Sequence, residues 1–121
     1  MKGRILVVDD EINQGKLYVQ ELGDEGYEVD VASSGQQALE MIKDGEYNLV
    51  VLDIGMPDMD GLEALGRMLS MDNKLPVILN TAYPSYKDNF MSWAADAYVV
   101  KSSDLTELKE CICTSLARKK A

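Results

Sequence analysis

The sequence predicts an α/β fold: one domain over residues 1–121, built on a doubly wound, five-stranded parallel sheet in the order 2-1-3-4-5. Two observations predict it. Short apolar runs alternate with longer helical segments along all 121 residues, and strands that alternate with helices form βαβ units around a parallel sheet. The runs also differ in pattern. Ile5-Leu6-Val7-Val8 and Leu49-Val50-Val51-Leu52 are apolar at every position, as strands covered on both faces are. Tyr27-Glu28-Val29-Asp30-Val31 alternates, which marks an edge strand. Right-handed crossovers then favour the order above, with a crevice where the connections reverse between strands 1 and 3.

The elements follow in order. After the first run, Ile12, Val19 and Leu22 share one face of a first helix, although Gly15 inside it costs about 1 kcal/mol relative to Ala. The second run holds Val29 and Val31. Ser34-Gly35-Gln36-Gln37 then forms a capping box, with Ser34 as cap and Gln37 reaching back. Beyond the third run, Asp60-Gly61-Leu62-Glu63 opens a helix whose apolar face is Leu62, Leu65 and Leu69. Val77-Ile78-Leu79 is the fourth run. Ser85 to Trp93 forms the fourth helix, with the thinnest apolar pattern of the set. Ala97-Tyr98-Val99-Val100 is the fifth run, and Asp104-Leu105-Thr106-Glu107 starts a fifth helix with Leu105, Leu108 and Ile112 on one face. Cys111 and Cys113 lie on that helix, two apart and so on nearly opposite sides, with Cys111 on the apolar face.

Composition bounds the function. A chain with 46% hydrophobic and 27% charged residues folds around a core rather than staying disordered. Its net charge of -9 repels nucleic acid and anionic membranes. No apolar run approaches the ~20 residues that span a bilayer, and the Met1-Lys2-Gly3-Arg4 start does not read as a signal peptide, so a cytoplasmic location is expected. The sequence contains no His. That excludes His-based zinc sites, Ser–His and Cys–His nucleophile pairs, and a phosphohistidine carrier. No G-x-x-x-x-G-K-[ST] is present, which excludes a P-loop nucleotidase.

Chemistry-bearing residues gather at strand ends. Asp9 and Asp10 end strand 1, Asp53 ends strand 3, Thr81 follows the fourth run and Lys101 the fifth. Each has a simple structural role available: Asp9 and Asp10 as helix caps, Asp53 and Thr81 as turn residues, Lys101 as a solvated charge, Tyr98 as an edge-strand aromatic with its hydroxyl exposed. Their convergence on one sheet edge argues for a shared site. Two unit charges ~4 Å apart repel by about 4 kcal/mol at an effective dielectric of 20, so three acids need more than one Lys. All-oxygen ligands select a hard divalent cation, and Mg²⁺ suits a site of few carboxylates that also takes phosphate oxygens. That points to phosphoryl transfer.

The chain resembles the receiver domain of two-component response regulators over essentially its whole length. The matching pieces are Ile5-Leu6-Val7-Val8-Asp9-Asp10-Glu11, Asp53-Ile54-Gly55-Met56-Pro57-Asp58-Met59-Asp60-Gly61, Thr81-Ala82 and Tyr98-Val99-Val100-Lys101. The resemblance implies a flavodoxin-like (βα)5 fold in which Asp53 is the phosphoacceptor. It implies Mg²⁺ held by Asp9, Asp10, Asp53 and the backbone carbonyl of Gly55. Thr81 and Lys101 bind phosphoryl oxygens, and Tyr98 is the switch aromatic. The implied partner is a sensor histidine kinase or a histidine phosphotransfer protein. The surface of helix 4, strand 5 and helix 5 then changes to control an output partner or domain, and the resemblance extends to a homodimer formed through that face on phosphorylation. No direct nucleic-acid binding, no membrane association and no catalysis beyond the chain's own aspartyl phosphorylation and dephosphorylation are expected.

Two residues depart from the family pattern. Lys101 is followed by Ser102 where the family usually has Pro, commonly after a cis bond; a cis bond before a non-proline costs ~2.5–4 kcal/mol. Either the bond is trans with a changed loop, or strain is retained. Tyr83, two positions past Thr81, is placed to shield an acyl phosphate from water and so to alter its lifetime. Three other classes compete. A phosphatase of the haloacid dehalogenase type requires a second Asp where Gly55 stands. A receiver-shaped scaffold that never takes phosphate has no need of the intact set Asp9, Asp10, Asp53, Thr81 and Lys101. A flavodoxin-like electron carrier shares the topology, but three converging acids would repel a flavin phosphate.

Overall fold

The structure, a computed structural model, describes residues 3–53, 61–71, 74–81, 97–100 and 104–120, with the backbone alone at 61–62, 81, 100 and 118–120. Its elements are β1 (Arg4–Val8), α1 (Ile12–Asp24), β2 (Glu28–Ala32), α2 (Gly35–Asp44), β3 (Leu49–Leu52), α3 (Gly61–Met71), β4 (Val77–Thr81), β5 (Ala97–Val100) and α4 (Thr106–Lys120). Here α4 is the last helical segment read from the sequence. The helix expected at Ser85 to Trp93 lies outside the described residues, as does the Asp60 cap.

All five strands pair in parallel in the order β2-β1-β3-β4-β5, as the run patterns predict. Alternate side chains feed two cores. Leu6, Val8, Val50, Leu52, Val77 and Leu79 pack with Ala38 of α2 and Ala64, Leu65 and Met68 of α3. Ile5, Val7, Leu49, Val51, Ile78 and Val99 pack with Tyr18 and Leu22 of α1 and Leu105, Leu108 and Ile112 of α4. Each large aliphatic side chain taken fully from water contributes about 1.5–3 kcal/mol. The apolar β1 and β3 are therefore the centre of the domain, and β2, covered less completely, is an edge.

The first helix departs from the sequence reading. Its buried residues are Gly15, Tyr18 and Leu22, while Ile12 is 73% exposed and Val19 is also exposed. Ile12 and Val19 therefore do not share the core face with Leu22. Two features rotate the helix. The Tyr18 ring supplies the bulk that an aliphatic count overlooks. Gly15 lets the backbone approach β2, since a Cβ there would lie 3.0 Å from Val31 Cγ1. The contrast with Gly23 is testable: a Cβ there meets nothing within 4 Å. Gly23→Ala is expected to stabilise the domain by about 0.5–1 kcal/mol through helix propensity and a less free unfolded chain, raising the melting temperature by roughly 2–4 °C in calorimetry. The helix ends in a Schellman motif: Gly26 N–H donates to the Gly23 carbonyl and Tyr27 N–H to that of Leu22. Gly26 sits at φ +100°, where a side chain is strained.

Ser34 caps α2 as expected, accepting from Gln37 N–H at 3.1 Å, but the Gln37 side chain reaches one residue further back and accepts from Ser33 N–H at 2.7 Å. Asp104 accepts from the backbone N–H and the hydroxyl of Thr106, and these donors hold its carboxyl below the usual range. Cys111 packs on the apolar face and Cys113 is exposed. The polar Asp30 of edge strand β2 is used: Arg4 Nη2 and the Tyr47 hydroxyl each donate to its Oδ2 at 2.8 Å.

This cluster carries a pH signature. Burial first, then the bond to Asp30, pushes Tyr47 up to about 12 from 10; burial also raises Tyr27. The folded chain thus holds these protons more tightly than the unfolded chain. Their contribution is complete below pH 10 and is lost as pH rises toward about 12. Urea titrations across that window are expected to show falling stability, with a shallower fall in Tyr47→Phe; an equal slope in that variant would place the loss elsewhere.

Candidate metal centre at the carboxyl edge of the sheet

β1 and β3 lie side by side in register, Val8 opposite Leu52, so the residues that follow each strand emerge together. The ladder continues one step past the strands: Asp9 N–H donates to the Ala32 carbonyl and Asp53 N–H to the Val8 carbonyl, both at 3.0 Å. This fixes the two backbones at the point where connections leave in opposite directions. One carboxylate oxygen from each of Asp9, Asp10 and Asp53 lies within 4.8 Å of the other two. Asp9 and Asp53 are only 3% and 7% exposed, whereas Asp10 faces solvent.

Asp9 does two jobs. Its Oδ1 accepts from Glu11 N–H at 2.9 Å, which orients the carboxylate and satisfies a donor at the start of α1. Glu11, the residue at the N-cap position, makes no side-chain cap. Asp9 is thus not the helix cap that its position suggests, and orienting Glu11 N–H is compatible with a ligand role. Electrostatics favours an ion among the three acids, because at ~5 Å each pair of charges repels by about 3 kcal/mol at an effective dielectric of 20. The donor set is entirely oxygen, with no Cys or His, which fits a hard divalent cation rather than zinc or copper.

The remaining sequence-predicted residues divide as follows. Thr81 closes β4, its backbone in register with Val100; its side chain is outside the description. Tyr98 lies opposite Leu79 in β5 and is half-buried against the core that contains Leu79, rather than a freely exposed edge aromatic. Gly55, Lys101, the Lys101–Ser102 bond and Tyr83 lie outside the described residues. Sequence reasoning also missed a shallow apolar groove of about 360 Å³ beside the acids, lined by Asp9, Ile12, Gly15, Lys16, Val19 and Val31. Its signal in the sequence is the apolar pair Ile12 and Val19, both exposed in the structure. Among the described residues no helix is long and apolar enough to cross a membrane.

A doubly wound sheet whose switch-point crevice carries three convergent carboxylates defines a class of α/β domains prepared to hold a hard cation at the strand ends. Within that class, the response regulator receiver domain family matches residues 5–113, and the chain belongs to that family. The transcriptional regulatory protein YkoG of Bacillus subtilis is 38% identical over 109 residues, covering 88% of this chain and 48% of its own. PcoR of Escherichia coli is 33% identical over 117 residues, covering 95% and 52%. The chain therefore spans about half the length of these curated relatives. Among solved structures, the response regulator TrrA of Thermotoga maritima, in complex with Mg²⁺-BeF, superposes with a TM-score of 0.90 at 48% identity, over 93% of this chain and 97% of that one. TrrA has also been solved in complex with the histidine kinase ThkA.

Proposed function

We propose that this receiver domain accepts a phosphoryl group on Asp53 from the phosphohistidine of a sensor histidine kinase or histidine phosphotransfer protein. The observation that carries the reading is the convergence of Asp9, Asp10 and Asp53, with Asp53 buried at the strand end beside Asp9. Those three carboxylates, with the Gly55 carbonyl, would hold Mg²⁺, which when bound neutralises charge on the transferring oxygens. A carboxylate oxygen of Asp53 attacks phosphorus. The P–N bond to the donor imidazole breaks, its electron pair leaves with the nitrogen, and an acyl phosphate forms. Thr81 and Lys101 bind the phosphoryl oxygens as the charge moves onto Asp53. The contacts that the new phosphoryl group makes, and the acceptor carboxylate alone does not, shift a two-state equilibrium that Tyr98 reports at the surface of the helix expected at Ser85 to Trp93, β5 and α4.

Partner choice has support in the groove lined by Asp9, where Ile12 and Val19 present apolar surface, and in the kinase complex of the similar TrrA. The net charge of -9 disfavours direct binding of nucleic acid, so output passes to a protein partner, a second copy or a linked domain. Incubation with Mg²⁺ and phosphoramidate, followed by intact-mass and peptide-mass analysis, tests the reading. One phosphoryl group on the Asp53 peptide supports it, and an unmodified chain would leave only a receiver-shaped binding module.

A further inference from the structure

β3 and β4 are in register through Leu52 and Leu79. Asn80 and Thr81 continue past that pair, in register with Val99 and Val100 of β5. A side-chain bond supplies a hold there. Asn80 Nδ2 donates to the Tyr18 hydroxyl at 2.6 Å, across 62 residues of sequence. Both residues are almost wholly buried, Asn80 at 3% and Tyr18 at 2% exposure. The core cluster that contains Tyr18 otherwise includes Ile78, Val99, Leu105 and Leu108. A buried amide and hydroxyl in an apolar core are tolerable only while bonded to partners.

We propose that Asn80 and Tyr18 are positioning residues: their hydrogen bond anchors the carboxyl end of β4 to α1 and so sets the place of Thr81 relative to Asp53. This rests on the phosphoacceptor reading above. The bond also links two parts of the reaction centre. Tyr18 belongs to α1, which begins at Ile12, two residues past Asp10, and Asn80 immediately precedes Thr81. The cation ligands follow β1 and β3, whose ladder does not involve this bond. The tether therefore affects engagement of the phosphoryl oxygens and leaves capture of the cation alone.

The test uses the whole chain, with Tyr18→Phe, Asn80→Leu and the double variant that replaces the polar pair by an apolar one. Phosphorylation rates with phosphoramidate at saturating Mg²⁺, Mg²⁺ affinity by calorimetry and melting temperature are measured on all three. Displacing an oriented group by a fraction of an ångström costs about five- to tenfold in rate. Tyr18→Phe is expected to show that loss with Mg²⁺ affinity unchanged within about twofold, since its ligands are untouched. The double variant is expected to recover the melting temperature while its phosphorylation stays slow. Recovery of the rate together with stability would reduce the pair to a packing role and overturn the proposal, as would a parental rate in Tyr18→Phe. Failure of the parent chain itself to take phosphate would overturn the phosphoacceptor reading instead.

Discussion

Asp53→Asn is expected to abolish phosphorylation by phosphoramidate, with a loss of at least about 1,000-fold, because the amide lacks the anionic oxygen that attacks phosphorus. Intact-mass analysis measures it directly. The size of the effect follows from position. Asp53 is buried at a strand end, its N–H fixed to the Val8 carbonyl, so no neighbouring carboxylate can swing into the same place without breaking the ladder. Asp9 is oriented by Glu11 N–H, and Asp10 faces solvent. A second consequence has the opposite sign. Removing one charge from a cluster whose oxygens lie within 4.8 Å relieves repulsion, so without divalent cation Asp53→Asn is expected to be more stable than the parent by about 1 kcal/mol or more. A variant that keeps the parental phosphorylation rate would remove Asp53 from the mechanism. One that loses both activity and stability would indicate misfolding rather than a missing nucleophile.

Mg²⁺ is expected to stabilise the folded chain, and by the same geometry to do so only while the three acids are intact. A ligand that binds the folded state alone contributes about 2.7 kcal/mol at a concentration 100 times its dissociation constant. In the unfolded chain Asp9 and Asp53 are far apart, so the linkage applies. Thermal scans with Mg²⁺ and with EDTA are expected to differ by several degrees in the parent, and to coincide in Asp9→Asn and Asp53→Asn. EDTA is also expected to stop phosphorylation of the parent. Equal melting temperatures with and without Mg²⁺ in the parent would argue against a common cation at these carboxylates.

The sheet was legible because burial writes itself into composition. Runs apolar at every residue became the two central strands, and the alternating run became the edge. The acid cluster was legible for a topological reason: strand order alone carries Asp9, Asp10 and Asp53 to neighbouring strand ends. The face of α1 was not. Ile12 and Val19 look like core residues in sequence, yet the helix turns them outward because Tyr18 and the missing Cβ of Gly15 set its rotation. The Asn80–Tyr18 bond was equally hidden, since a polar side chain in a buried strand has no local signal for a partner 62 residues away.

The carboxylates come entirely from the first 53 residues, just past the ends of β1 and β3, whereas Thr81 and Tyr98 belong to β4 and β5. On the proposed function, ion capture and readout fall to different halves of the polypeptide. Substitutions in the later half, at Ser102 or Tyr83 for example, are then expected to alter how long a signal lasts and who receives it while leaving ion capture intact. Chimaeras that exchange the two halves between relatives are the natural unit for engineering signal duration in this family.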